Sequence, residues 1–284
     1  MKQINYFIEL TRLKKPIGFM LLFWPCLWGL TIAFDFSKDI QIFIKYLLLF
    51  FLGSVLMRSA GCIFNDIVDK DFDKKINRTN KRPLVTGKVS IMHSFIYVII
   101  LCSMAFFILI QFNLFTILLG LGSMILAFAY PFMKRITYWP QLFLGITFNW
   151  GILMAWASIY NNLGLEIIIL YIAAIFWTLG YDTIYGAQDM SEDEIIGLKS
   201  TSIKFKKNIG LFVFVNYLIC ATLIAYLFNS FIGSNIFTIF LLLFMLSLVY
   251  QSLNFKINKK EKYLKLFKLN NYSGLLLFLG ILFI

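Results

Sequence analysis

This chain predicts an all-α fold, a polytopic membrane bundle of about nine transmembrane helices, and three observations carry that prediction. Hydrophobic residues make up 60% of the 284 positions and charged residues only 14%, where a soluble domain carries roughly 25% charge. Apolar runs long enough to span a bilayer, ~20 residues, recur from one end to the other. Lysine and arginine gather in alternate connections, the pattern expected when those connections share the cytoplasmic side. Such a chain is expected to form one transmembrane domain over residues 1–284.

Taken in order, the apolar runs place helices near residues 16–34, 40–66, 91–110, 113–132, 138–159, 164–186, 208–229, 234–254 and 270–284. The first follows Lys14-Lys15-Pro16 with no small-residue cleavage site behind it, so it is expected to be retained as a helix. The last is short for a span. The N-terminal segment and the connections after the second, fourth, sixth and eighth helices hold 23 of the 26 basic residues. This puts the N-terminus and those four connections in the cytoplasm. The lack of an Arg-rich, Ser-rich presequence points to a bacterial inner membrane. Topology is then the plain cause of the net charge of +12, with anionic membrane lipid as the counter-surface and no nucleic acid implied. The run from Lys256 through Lys259 and Lys260 to Lys268 is read the same way.

Trp24, Trp28, Tyr138, Trp139 and Tyr160 near helix ends read as an aromatic belt. Cys26, Cys62, Cys102 and Cys220 form no CxxC pair and read as small apolar filler. His93, just after a helix start at Ser90, has no second His or Cys nearby to share a metal.

Two acidic clusters break the apolar pattern. One runs Asn65-Asp66-Ile67-Val68-Asp69-Lys70-Asp71-Phe72-Asp73; the other runs from Tyr181-Asp182 through Tyr185 and Asp189 to Asp193-Glu194. Together they hold nine of the fourteen acidic residues, each at the end of a long apolar helix. Carboxylates are expensive beside a bilayer and mark a functional site by default. Asn65, Asp69 and Asp73 are spaced i, i+4, i+8, and Asp182, Asp189 and Asp193 i, i+7, i+11, so each set is expected on one helical face. Carboxylates so close repel unless a cation intervenes. Mg²⁺ prefers oxygen ligands and is bound by one or two carboxylates plus substrate phosphate. Two clusters therefore suit a pair of Mg²⁺ ions around a diphosphate. Arg78 and Arg82 follow the first cluster and Lys199 the second; guanidinium forks match phosphate oxygens, although cytoplasmic topology also explains basic residues there. A diphosphate held at a membrane surface suggests a lipid-tailed substrate.

These residues resemble the UbiA superfamily of intramembrane prenyltransferases, most closely the subgroup acting on 4-hydroxybenzoate in ubiquinone synthesis. The first motif, Asn-Asp-x2-Asp-x3-Asp, is met by Asn65, Asp66, Asp69 and Asp73. The second, Tyr-Asp-x2-Tyr-x3-Asp-x3-Asp, is met by Tyr181, Asp182, Tyr185, Asp189 and Asp193. Further likeness lies in Arg12-Leu13-Lys14-Lys15-Pro16-Ile17-Gly18, Met57-Arg58-Ser59-Ala60-Gly61-Cys62, Arg82-Pro83-Leu84, Tyr130-Pro131-Phe132-Met133-Lys134-Arg135 and Gly197-Leu198-Lys199-Ser200-Thr201. It covers roughly residues 10–205, with only hydropathy beyond.

The resemblance implies Mg²⁺-dependent transfer of a polyprenyl chain from polyprenyl diphosphate to the benzoate ring. It implies that Asp69, Asp73, Asp189 and Asp193 hold metal, supported by Asn65, Asp66 and Asp182. It also implies that Arg78, Arg82 and Lys199 contact diphosphate, and that Arg58 and Arg135 are candidates for the benzoate carboxylate. A plainer role for Arg58 is pairing with Asp66 or another carboxylate. Tyr130, Tyr181 and Tyr185 are candidates to face an allylic cation. Protein partners stay unassigned. Rival readings are another prenyltransferase of the superfamily, acting on haem or a naphthoquinone precursor, or a secondary cation transporter. A transporter would place its acids near the midplane at broken helices rather than at cytoplasmic exits beside Arg and Lys.

Overall fold

A computed structural model describes residues 2–256 and 260–284; Lys259 and the side chain of Lys260 lie outside that description. The elements are α1 (Lys2–Thr11), α2 (Ile17–Ala33), α3 (Ile40–Asp73), α4 (Ile91–Leu109), α5 (Leu114–Ile136), α6 (Pro140–Tyr160), α7 (Leu165–Gly186), α8 (Met190–Ile195), α9 (Thr201–Lys204), α10 (Ile209–Leu227), α11 (Ile236–Asn254) and α12 (Lys260–Ile281). Nine of these have 17 residues or more. Seven are long and apolar enough to cross a membrane; α2 is a shorter apolar helix, and α12 is charged in its first half.

Local chemistry sets the helix starts. The side chains of Asp39, Ser90, Asn113 and Asn235 each accept a backbone N–H from the first turn of α3, α4, α5 and α11, covering donors that the helix itself leaves unpaired. Pro140 occupies the first turn of α6, where its missing N–H costs nothing.

Close packing then relies on small residues, as it must where lipid offers no hydrophobic drive between helices. A Cβ on Gly29 of α2 would lie 2.6 Å from the Ile152 carbonyl of α6, and one on Gly145 would lie 3.2 Å from Ile175 of α7. Buried polar groups add hydrogen bonds across the bundle. Trp177 on α7 donates to Asn270 on α12 (2.8 Å), Asn270 donates to Gln251 on α11 (2.7 Å), and Tyr217 on α10 donates to the same Gln251 oxygen (2.9 Å). In membranes each such bond contributes about 0.6 kcal/mol. Helix α7 is the central member, with 61% of its apolar window buried against 22% for α4 and 17% for α5.

Several expectations are corrected. The second helix does not stop at residue 66; it continues to Asp73 and carries the whole first acidic motif. The last helix starts at Lys260, ten residues before the expected 270, so Lys262, Lys265 and Lys268 lie on α12 rather than in a connection. Glu261, Lys262, Lys265 and Lys268 in its first half break the apolar run and hide it from a hydropathy reading, while further along Asn270 and Ser273 point inward, fully buried. Trp24 and Trp28 are not belt residues. They are 7% and 0% exposed and donate to Asn271 and to the Gly274 carbonyl of α12, both at 3.0 Å. An unanticipated helix, α1, packs on α3 through the buried Leu10 and Thr11.

Candidate active site

Both acidic motifs open into one cavity of about 1380 Å³ at one end of the bundle. The first motif lies on the unbroken last two turns of α3, where Asp66, Asp69 and Asp73 are 1%, 0% and 4% exposed. Buried carboxylates need partners, and each has one. Arg12 donates to both oxygens of Asp66 at 2.8 Å, and Arg82 donates to Asp66 at 2.8 Å and to Asp73. Lys134 pairs with Asp69, which also accepts from Asn65 at 2.9 Å. Arg12 reaches Asp66 from a left-handed backbone (φ 60°), unusual for a residue with a side chain.

The second motif is built differently. Helix α7 ends at Gly186, and Asp189 stands at the start of the separate α8. The expectation of one continuous face for Asp182, Asp189 and Asp193 is therefore corrected. Arg78, on the α3–α4 connection, grips Asp189 (2.9 and 3.0 Å from Nε) and donates to the Tyr185 hydroxyl at 3.3 Å. Beside it the Asn77 backbone N–H donates to Glu192 at 3.0 Å. These bonds bring the two motifs face to face. The side chains of Asp182 and Asp193 make no hydrogen bond or ion pair among the described residues. Burial, and Asp189 next to it, push Asp193 up to about 6. The turn at Gly197 (φ +80°) returns the chain so that the Lys199 N–H bonds the Lys134 carbonyl at 2.8 Å, carrying Lys199 to the cavity wall.

Of the residues singled out in the sequence, the cavity is lined by Asn65, Asp66, Asp69, Asp182, Asp189 and Asp193, by Arg58, Arg78, Arg82 and Lys199, and by Tyr130, Tyr181 and Tyr185. Asp73 is held behind this wall by Arg82. Arg135 is not on the wall either; it donates to the Val68 carbonyl at 2.6 Å and lies over the Phe72 ring. Its neighbour Lys134 is on the wall instead. The spacing Tyr130-x3-Lys134, one helical turn, is the signal that puts Lys134 beside Tyr130. Arg12 and Lys15, also on the wall, stand in the sequence only as part of a resemblance. Burial and the neighbouring Arg12, Arg78 and Arg82 push Lys15 down.

Arg58 does not pair with Asp66, which Arg12 and Arg82 already occupy. Its guanidinium lies over the Phe148 ring, 5.2 Å from the centroid, with Nε buried and unpartnered. A Cβ at Gly18 would lie 2.8 Å from that Nε, so glycine there makes room for it. Among the described residues no three His, Cys, Asp or Glu side chains converge as a metal cage. The donors on offer are oxygens from Asn65, Asp69, Asp189 and Asp193, spread over two facing walls. That set fits Mg²⁺, which takes few protein ligands and fills its shell from phosphate and water.

Known proteins resemble this chain in sequence and in fold. A rat protein, "4-hydroxybenzoate polyprenyltransferase, mitochondrial", is 37% identical over 99% of this chain and 75% of its own length. A "4-hydroxybenzoate octaprenyltransferase" from Pseudoalteromonas translucida is 40% identical over 99% of this chain and 94% of its own. The fold matches the apo structure of a UbiA homolog from Aeropyrum pernix K1, with TM-score 0.78 and 24% identity over 93% of this chain and 96% of that one. It also matches a UbiA homolog from Archaeoglobus fulgidus bound to GPP and Mg²⁺, with TM-score 0.68 and 17% identity over 95% of this chain and 99% of that one. Residues 22–274 match the UbiA prenyltransferase family, and the chain, an integral membrane protein, belongs to that family.

Proposed function

We propose that this chain transfers a polyprenyl group from polyprenyl diphosphate to the ring carbon ortho to the hydroxyl of 4-hydroxybenzoate, in ubiquinone synthesis. The observation that carries this reading is the charge pattern of this cavity. Two facing acidic motifs and their basic partners line it, and one guanidinium, Arg58, stands inside with no hydrogen bond or ion pair among the described residues. The names of the relatives and the Mg²⁺ in the Archaeoglobus neighbour support the same donor, acceptor and ion.

Asp69, Asp189 and Asp193, on the cavity wall, would hold Mg²⁺, with Asn65, Asp66 and Asp182 in support and Asp73 behind them, held by Arg82. Bound there, Mg²⁺ supplies charge neutralisation to the departing diphosphate. Arg78, Arg82 and Lys134 bind the diphosphate oxygens and release the carboxylates they hold now, and Lys199 binds them on leaving the Ile136 carbonyl, to which it donates at 3.1 Å. Arg58 binds the acceptor carboxylate and aims the ring. The bond between the allylic carbon and the diphosphate oxygen breaks, and the ring carbon bonds to that allylic carbon. The ring proton passes to diphosphate or to Asp182. Tyr130, Tyr181 and Tyr185 turn aromatic surface to the developing cation, and the apolar walls exclude water that would capture it. The chain acts as one catalytic unit with its N-terminus and both motifs on the cytoplasmic face of a bacterial inner membrane, as its basic connections favour.

Acceptor competition tests the reading. Membranes holding the chain, given Mg²⁺, polyprenyl diphosphate and radiolabelled 4-hydroxybenzoate, are expected to form a labelled lipid that excess unlabelled naphthoate does not suppress. No labelled lipid, or suppression by the naphthoate, would move the chain to another acceptor class.

A further inference from the structure

We propose that the junction of α9 and α10 is a site for one anionic phospholipid, bound by its headgroup phosphate from the leaflet at the acidic-motif end of the bundle. Basic connections attract anionic lipid as a diffuse counter-surface. This junction differs from them because its groups are fixed in place and left without partners inside the protein.

The cations come first. Residues Ile203–Asn208 line an open crevice of about 420 Å³, room enough for a headgroup. It carries three exposed lysines. Lys206 pairs with Glu194 at 2.6 Å, while the side chains of Lys204 and Lys207 make no hydrogen bond or ion pair among the described residues. Lys204 is nevertheless held. Its ammonium lies 4.6 Å from the centre of the Trp139 ring and 5.7 Å from that of Phe205. Those rings are locked in turn: Phe205 stacks on Phe212 at 4.1 Å, and Trp139 meets both edge-on, at 5.6 and 6.0 Å. An ammonium over aromatic faces keeps its full charge, so a phosphate finds it positioned and unneutralised.

A donor stands beside the cations. Trp24, Trp28, Trp150, Trp156 and Trp177 each donate the indole N–H within the protein. Trp139, half-buried, is the one tryptophan whose indole N–H has no acceptor among the described residues. Tryptophan at headgroup level turns its ring to apolar surroundings and its N–H to polar ones, and a lipid phosphate or ester supplies the acceptor.

The track for the acyl chains starts at the same place. Leu211, Phe214, Val215 and Leu218 follow the lysines on α10 at i, i+3, i+4 and i+7, one face of the helix, and all four are exposed. Helix α10 packs chiefly on α7, which leaves this stripe to lipid. A free phosphate ion would use the lysines and ignore the stripe; a phospholipid uses both.

The test takes the purified full chain in neutral detergent, with equimolar phosphatidylglycerol and phosphatidylcholine of the same acyl chains, and reads retained lipid by native mass spectrometry. The wild-type chain is expected to retain phosphatidylglycerol about tenfold or more over phosphatidylcholine, and Lys204→Ala with Lys207→Ala to lower that preference to about twofold or less. Lys74→Ala with Lys75→Ala, which removes the same charge from the α3–α4 connection, is expected to leave it. No preference in the wild-type chain, or equal loss in the two double variants, overturns the proposal. Excess inorganic phosphate is expected not to displace the lipid; displacement would make this a free-anion site and overturn the lipid assignment. The wild-type chain gives an independent check. Phosphatidylglycerol with a photoreactive group on an acyl chain is expected to label peptides within residues 205–218, and labelling confined to other helices overturns the proposal. None of these readouts uses a prenyl donor or an acceptor, so the site stands or falls apart from the proposed reaction.

Discussion

The two acidic motifs look alike in sequence and are built in opposite ways. The first sits on an unbroken helix, fully buried, with Arg12, Arg82 and Lys134 on its three carboxylates. The second straddles a helix break, is partly open, and leaves Asp182 and Asp193 without a side-chain hydrogen bond or ion pair among the described residues, while Arg78, 42% exposed, holds Asp189. A buried ion pair that loses one member leaves an uncompensated charge at a cost of about 3–5 kcal/mol, whereas an exposed pair contributes about 1 kcal/mol or less. The first motif is therefore expected to hold the fold as well as the substrate, and the second to serve the substrate almost alone.

The largest effect that sharpens this contrast is on turnover. Asp189→Ala is expected to lower activity about 10²–10³-fold, the scale of losing one charge-stabilising group, with little change in the melting temperature of the detergent-solubilised protein. Full Mg²⁺-dependent activity in this variant would remove the metal assignment. Next comes stability: Lys134→Met leaves the buried Asp69 with Asn65 and the longer Arg135 contact at 3.5 Å and is expected to destabilise by about 2 kcal/mol, as for a lost charged hydrogen bond, while Arg78→Met costs less than about 1 kcal/mol. Equal thermal shifts in the two variants would erase the distinction between the motifs. Third, Arg58→Ala is expected to raise the KM for 4-hydroxybenzoate about 10–100-fold, as for a lost charged hydrogen bond of about 1.5–3 kcal/mol, leaving the KM for the prenyl donor near its starting value. A rise confined to the donor would reassign Arg58 to the diphosphate. The smallest effect is the control: Lys206→Ala removes an exposed pair with Glu194 and is expected to change stability by less than about 1 kcal/mol.

The asymmetry was only half legible in the sequence. The long apolar runs and the i, i+4, i+8 spacing are local properties, so the bundle and the face of the first motif follow from them directly. The second motif's spacing assumes a continuing helix, whereas α7 ends at Gly186, where a Cβ would lie 3.0 Å from the Ser202 hydroxyl and 3.1 Å from Gln141, tertiary neighbours that local spacing does not show. Arg12 lies 54 residues from Asp66 and reaches it through one left-handed residue, which no periodicity reveals. Lys134 and Arg135 differ by about 100° on the helix, enough to put one on the cavity wall and the other on the Val68 carbonyl. The start of α12 was concealed because Glu261, Lys262, Lys265 and Lys268 interrupt its apolar run, and hydropathy does not reveal that the helix continues through them.

The central claim is that both motifs and Arg58 serve one reaction in one cavity. Mass spectrometry of the lipid product tests it most directly, with the purified chain given mixed prenyl diphosphates, 4-hydroxybenzoate and Mg²⁺. The account predicts a prenyl group on the ring carbon beside the hydroxyl, no product when Mg²⁺ is chelated, and recovery of product from Arg58→Ala only at raised 4-hydroxybenzoate. Product formed without a divalent cation, or prenyl groups only on some other acceptor, would contradict it.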